Sequence, residues 1–129
     1  MRVIIIGGGA AGASCATRLR RLNEDAEIII LERTNEVSIA NCGLPYYISD
    51  VIPNRDSILV STPQKFKSWF NIDVRLETEV IEINKEEKFV LTSSNEKLSY
   101  DYLVLANGAS PIVPNFAGLN KNKTFVVRT

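Results

Sequence analysis

Four β-branched residues run straight into a glycine cluster at the start of this chain: Val3-Ile4-Ile5-Ile6, then Gly7-Gly8-Gly9-Ala10-Ala11-Gly12. No other feature restricts the fold as much. A strand with one solvated face alternates apolar and polar residues. A continuous β-branched run has both faces covered, as in a parallel sheet. The Ala- and Arg-rich stretch 10–22 reads as a helix, and Asn23-Glu24-Asp25 breaks it. Glu27-Ile28-Ile29-Ile30-Leu31 is a second strand of the buried type. Strand, glycine turn, helix and strand in this order form a βαβ unit, which crosses over right-handed.

The turn carries G-x-G-x-x-G at Gly7, Gly9 and Gly12. The first glycine lets the chain leave the strand sharply, the second leaves room for a pyrophosphate, and the third lets the helix pack on the sheet. The helix N-terminus offers free N–H groups and partial positive charge to phosphates. Glu32 closes the second strand, where a carboxylate can accept from ribose hydroxyls and disfavours a 2′-phosphate. This context points to a dinucleotide site and does not separate FAD from NAD.

The chain has 129 residues, enough for one domain, with 15 Lys+Arg against 15 Asp+Glu. Zero net charge argues against nucleic acid as a partner. With no His and two Cys, His-containing and Cys-rich metal sites are excluded and no metal is expected. No segment approaches membrane-spanning length, no secretory signal is expected, and the cysteine usage fits a reducing cytoplasm.

Residues 36–60 read as loop with short helices. Thr62-Pro63 starts a helix, with Phe66, Trp69 and Phe70 on one expected buried face. Val80 to Ile83, Phe89 to Leu91 and Lys97 to Tyr100, separated by two turns, predict a three-stranded antiparallel meander. Tyr102 to Ala106 predicts a third buried parallel strand, and Pro111, Pro114 and Gly118 mark an extended connection. Cys15, among helix alanines, reads as packing. Arg18, Arg20 and Arg21 read, on their own, as a solvated helix face.

Ser38-Ile39-Ala40-Asn41-Cys42-Gly43-Leu44-Pro45-Tyr46-Tyr47 places a thiol just before a short helix, a position that favours the thiolate. Together with Gly7 to Gly12 and Glu32, this loop resembles the coenzyme A-disulfide reductase and NADH oxidase branch of the flavin-dependent pyridine nucleotide-disulfide oxidoreductases. The resemblance runs over essentially the whole chain. The loop has one cysteine rather than the C-x-x-x-x-C pair of glutathione reductase-type members. Ala106-Asn107-Gly108 stands where the family has Ala-Thr-Gly, and Phe70 where some reductases have a CoA-contacting Lys.

The resemblance implies a Rossmann-like α/β fold for FAD, with a parallel βαβ core and the meander as crossover. Residues 1–129 would be the N-terminal part of the FAD-binding domain, without the NAD(P)H-binding and dimerisation domains, and alone without turnover. It implies Cys42 as the catalytic sulfur. It also implies FAD on Gly7, Gly9, Ala10, Ala11, Gly12, Glu32, Arg33, Asn41, Val80, Ala106 and Gly108. Ser14, Arg18, Arg21, Ser38 and Asn41 would contact CoA. NADH or NADPH would be the electron donor and a homodimer the assembly. CoA disulfide is the implied acceptor, with oxygen or peroxide, through a cysteine sulfenic acid, as the alternative. A non-catalytic dinucleotide-binding module is the third reading.

Overall fold

A computed structural model describes residues 1–128. Strands β1 (Arg2–Ile6), β2 (Glu27–Leu31), β3 (Asp73–Arg75) and β7 (Tyr102–Leu105) form a parallel sheet in the order β3-β2-β1-β7. Strands β4 (Val80–Asn84), β5 (Phe89–Thr92) and β6 (Lys97–Ser99) form the antiparallel meander. Helices α1 (Ala10–Leu22) and α3 (Pro63–Phe70) are joined in sequence by a short α2 (Leu44–Ile48).

The uninterrupted apolar strands are explained by what covers them. Alternate residues Val3, Ile5, Ile28 and Ile30 pack with Ala13 and Ala16 of α1 and Phe66 of α3. Their neighbours Ile4, Ile29 and Leu31 point the other way, onto Val90 and Leu98 of the meander. The parallel sheet is thus the middle of three layers, and residues 3–5 of β1 and 28–31 of β2 are buried on both faces. The meander register is offset between Val80 and Glu82, where the ladder is irregular.

The α/β class, the βαβ unit, the meander and the start of α3 agree with the sequence reading. Thr62 caps α3, its hydroxyl accepting from Lys65 N–H at 3.3 Å. Cys15 is half-buried against the helix-side core.

Three expectations are corrected, and one strand is additional. β3, with one apolar residue in three, is an edge strand too short to leave a periodic signal. Trp69 is 71% exposed, because α3 packs on the edge strand β3 and no strand among the described residues lies beyond it. The Lys65 ammonium sits 5.8 Å from its ring centre instead. β7 is also an edge strand, and Tyr102 and Leu105 are exposed rather than buried.

The third correction is Arg20, which is 9% exposed and not part of a solvated face. Its Nε donates to the Phe70 carbonyl at 2.8 Å, and Nη2 to those of Ala26 at 2.6 Å and Asn71 at 3.0 Å. Nη1 donates to the carbonyls of Asn23 and Glu24. One guanidinium therefore joins the ends of α1 and α3 to the turn that enters β2. No helix among the described residues is long and apolar enough to cross a membrane.

Candidate functional site: a dinucleotide cradle beside a cysteine loop

Gly7 leaves β1 with φ +101°, and a Cβ there would fall 2.3 Å from the Ala106 carbonyl oxygen. A Cβ on Gly12 would fall 1.9 Å from the Gly7 carbonyl oxygen. Both are glycines because the protein's own backbone crowds them. Gly9 is different. It caps α1 with φ −70°, an ordinary value, and a Cβ on it would meet no heavy atom within 4 Å. Nothing in the protein requires a glycine there. The open space lies at the end of a 13-residue helix that has no side-chain cap bond and no acid in its first turn, a setting suited to an anion.

Glu32 is held in place from two sides. Gly8 N–H donates to one carboxylate oxygen at 2.7 Å, and Thr34 N–H to the other at 2.9 Å. The orienting role of Gly8 was not read from the sequence. A Cβ on Gly8 would strike Val37 Cγ2 at 2.7 Å and lie 3.4 Å from Glu32 Oε2, so glycine at this position lets the turn approach the acid.

A cavity of about 320 Å³ is lined by Gly7 to Ala11, Glu32, Arg33, Ser38, Asn41, Ala106 and Gly108, among others. A second, of about 580 Å³, is lined by Ile6, Leu31, Val80, Ile81, Ile83 and Leu105 and by Thr78 and Ser110, among others. Gly7, Glu32, Arg33, Asn107 and Gly108 line both. Together they make a smaller compartment at the helix end and a larger one between β1, β2 and the meander. The two compartments bring together all the expected cofactor residues except Gly12, which is buried beneath the turn. Asn107, which replaces the expected Thr, lines both.

Arg128 also lines the smaller cavity. Its Nε donates to the Ala109 carbonyl at 3.0 Å, and a Cβ on Gly108 would lie 2.9 Å from its Nη2. No local motif marks Arg128, because only folding brings it back to the glycine turn. Ser14, Arg18 and Arg21 are exposed on α1 and line neither cavity.

Cys42 is exposed in a 3-10 turn (Asn41–Gly43) that leads into α2. The loop before it is bonded to the cradle, since Ser38 N–H donates to the Gly8 carbonyl at 2.8 Å. It is also bonded to a second 3-10 turn (Arg55–Ile58), through Ala40 N–H to the Ile58 carbonyl at 2.8 Å. Just beyond that turn, Val60 N–H donates to the Ser38 carbonyl at 3.0 Å, beside a bridge between Ile39 and Leu59. Glu36 and Arg55 form a forked ion pair alongside.

The Arg55 guanidinium, hydrogen-bonded to it, holds the Glu36 carboxyl below the usual carboxylate range, against the opposing pull of burial. A lowered carboxylate pKa stabilises the fold above its unfolded value, near pH 4, and that contribution disappears as pH falls through the lowered value. The Tm of the wild-type protein should therefore drop more steeply between pH 5 and pH 3 than that of Glu36→Gln. Parallel acid limbs for the two proteins would contradict the ion pair.

Fold and cradle together define a dinucleotide-binding α/β domain with a cysteine loop hydrogen-bonded to its glycine turn. The sequence profile of the pyridine nucleotide-disulphide oxidoreductases matches residues 1–129, and the chain belongs to that family. An NADH oxidase of Methanocaldococcus jannaschii is 41% identical over 133 residues, covering 100% of this chain and 30% of the oxidase. A coenzyme A disulfide reductase of Staphylococcus haemolyticus is 39% identical over 132 residues, covering 98% of this chain and 29% of the reductase. The crystal structure of reduced Bacillus anthracis CoADR-RHD is similar with a TM-score of 0.82 and 49% identity, over 88% of this chain and 21% of that one. The chain thus spans about 30% of the length of the curated relatives it matches. FAD is the cofactor typical of the family, and its diphosphate fits the space left open at Gly9.

Proposed function

We propose that this chain supplies the FAD cradle and the redox sulfur of an NAD(P)H-dependent coenzyme A-disulfide reductase. The observation that carries the reading is Gly9, a glycine that no contact within the protein requires, facing a cavity that Glu32 also lines. The free N–H groups at the start of α1 would hold the diphosphate and Glu32 the adenosine ribose. The larger compartment, by Val80, would take the adenine. FAD would supply a two-electron relay from NAD(P)H.

The chain's own contribution to the reaction is a nucleophile. The Cys42 thiolate attacks one sulfur of CoA disulfide, a Cys42–CoA mixed disulfide forms, and the first CoA leaves as thiolate. Two electrons and a proton then release the second CoA thiol and restore the Cys42 thiolate. Arg18 and Arg21, adjacent on one exposed face of α1, offer forked donors for the CoA phosphates. A homodimer and a cytoplasmic location belong to the same reading.

The 41% identity with an NADH oxidase favours a second reading, in which Cys42 cycles through sulfenic acid with a peroxide or oxygen acceptor. Turnover of the complete enzyme with NADH or NADPH, supplied with CoA disulfide in one arm and oxygen in the other, separates the two. The reductase reading expects CoA disulfide to be consumed. It further expects Arg18→Ala combined with Arg21→Ala to raise KM for CoA disulfide by about tenfold or more at unchanged flavin content. NADH consumption by oxygen alone, or an unchanged KM in the double variant, overturns it.

A further inference from the structure

The loop that carries Cys42 has little apolar burial to hold it. Asn41, Cys42, Pro45, Tyr46 and Ile48 are exposed, and of residues 41–48 only Gly43 and Leu44 are buried. Backbone hydrogen bonds tie it to the glycine turn and to the segment at residues 58–60. We propose that the Glu36–Arg55 ion pair is a positioning clamp, which sets the turn at Arg55–Ile58 and through it the place of Cys42. The proposal rests on the reading of Cys42 as the redox sulfur.

The contacts form an unbroken chain. Thr34, whose N–H donates to Glu32, has its hydroxyl 3.0 Å from the Glu36 carbonyl oxygen. The Glu36 carboxylate takes both terminal nitrogens of Arg55, Nη2 at 2.5 Å. A forked pair fixes orientation as well as distance, which a single ammonium does not. Arg55 opens the turn that presents Ile58. The Ile58 carbonyl accepts from Ala40 N–H, and Ile58 Cγ2 lies 2.7 Å from where a Gly43 Cβ would be. Ile58 therefore meets the loop on both sides of Cys42. A rotation of the turn would move the sulfur, and displacement of a reacting atom by about 1 Å costs about 100-fold in rate.

The test uses the flavin-loaded complete enzyme to which this chain contributes. Arg55→Gln should keep its flavin, exchange the Ala40 amide about tenfold faster, and lose about tenfold or more in kcat. KM for NAD(P)H should be unchanged. The charge-reversed pair, Glu36→Arg with Arg55→Glu, should recover both readouts, which loss of general stability would not allow. Arg55→Lys, which keeps the charge but not the fork, is read by the same criteria should Arg55→Gln fail to fold. Cys42→Ser serves as the control. If it is inactive while the Arg55 variants match wild type in exchange and kcat, the clamp is overturned and the role of the sulfur stands. If Cys42→Ser keeps full turnover, the role of the sulfur falls and the clamp with it.

Discussion

Gly9→Ala is expected to leave the fold intact and to weaken FAD binding roughly 10- to 100-fold, the equivalent of one or two charge-assisted hydrogen bonds. The backbone there already has an ordinary φ, and the added methyl meets no protein atom within 4 Å. Its cost to stability is therefore that of a poorer helix cap, about 1 kcal/mol or less. The methyl would occupy space that the diphosphate needs. Gly12→Ala is the counterpart. Its methyl would sit 1.9 Å from the Gly7 carbonyl oxygen and force α1 off the sheet, costing about 3 kcal/mol as an overpacked contact. Calorimetric titration with FAD and thermal melting of the two variants give a direct comparison. A Gly9→Ala protein that binds FAD as tightly as wild type would remove the cradle from the site.

Arg20→Met should lower stability by about 3 kcal/mol, since burial without a hydrogen bond costs each stranded carbonyl about 1–3 kcal/mol and some of the five gain water. For a chain of this length that corresponds to a fall in Tm of about 10 °C. Arg20→Lys should recover less than half, because one ammonium cannot reach carbonyls at 23–26 and at 70–71 together. FAD affinity of the folded fraction should be little changed, as Arg20 lines neither cavity. Wild-type Tm in Arg20→Met would show that the guanidinium network contributes nothing net. This residue differs from Arg18 and Arg21 in consequence although the three sit within one turn of helix. Sequence spacing alone placed Arg20 among the solvated cations, since the carbonyls it satisfies belong to segments up to 51 residues away.

How much was legible depended on how local the cause was. Val3 to Ile6, the three spaced glycines and Glu32 are set by rules that act within a few residues or along a single crossover. The βαβ unit and the cradle followed from them, and the meander from the two turns within it. Thr62-Pro63 likewise marked the start of α3 through a cap formed within its own first turn. Trp69 and β7 were misjudged for a different reason. Whether an apolar residue is covered depends on which strand ends up at the sheet edge, and strand order is a property of the assembled sheet. The forked pair of Glu36 with Arg55 and the return of Arg128 to the glycine turn are of the same kind.

The chain's order of residues was sufficient to specify the layered α/β fold and the helix end on which a diphosphate can rest. Both arise from hydrophobic period and backbone sterics, which are written along the chain. Which arginine is buried, what orients Glu32 and what holds the cysteine loop beside the cradle arise from contacts between distant segments. Those contacts exist only after the sheet has closed, so no local pattern records them.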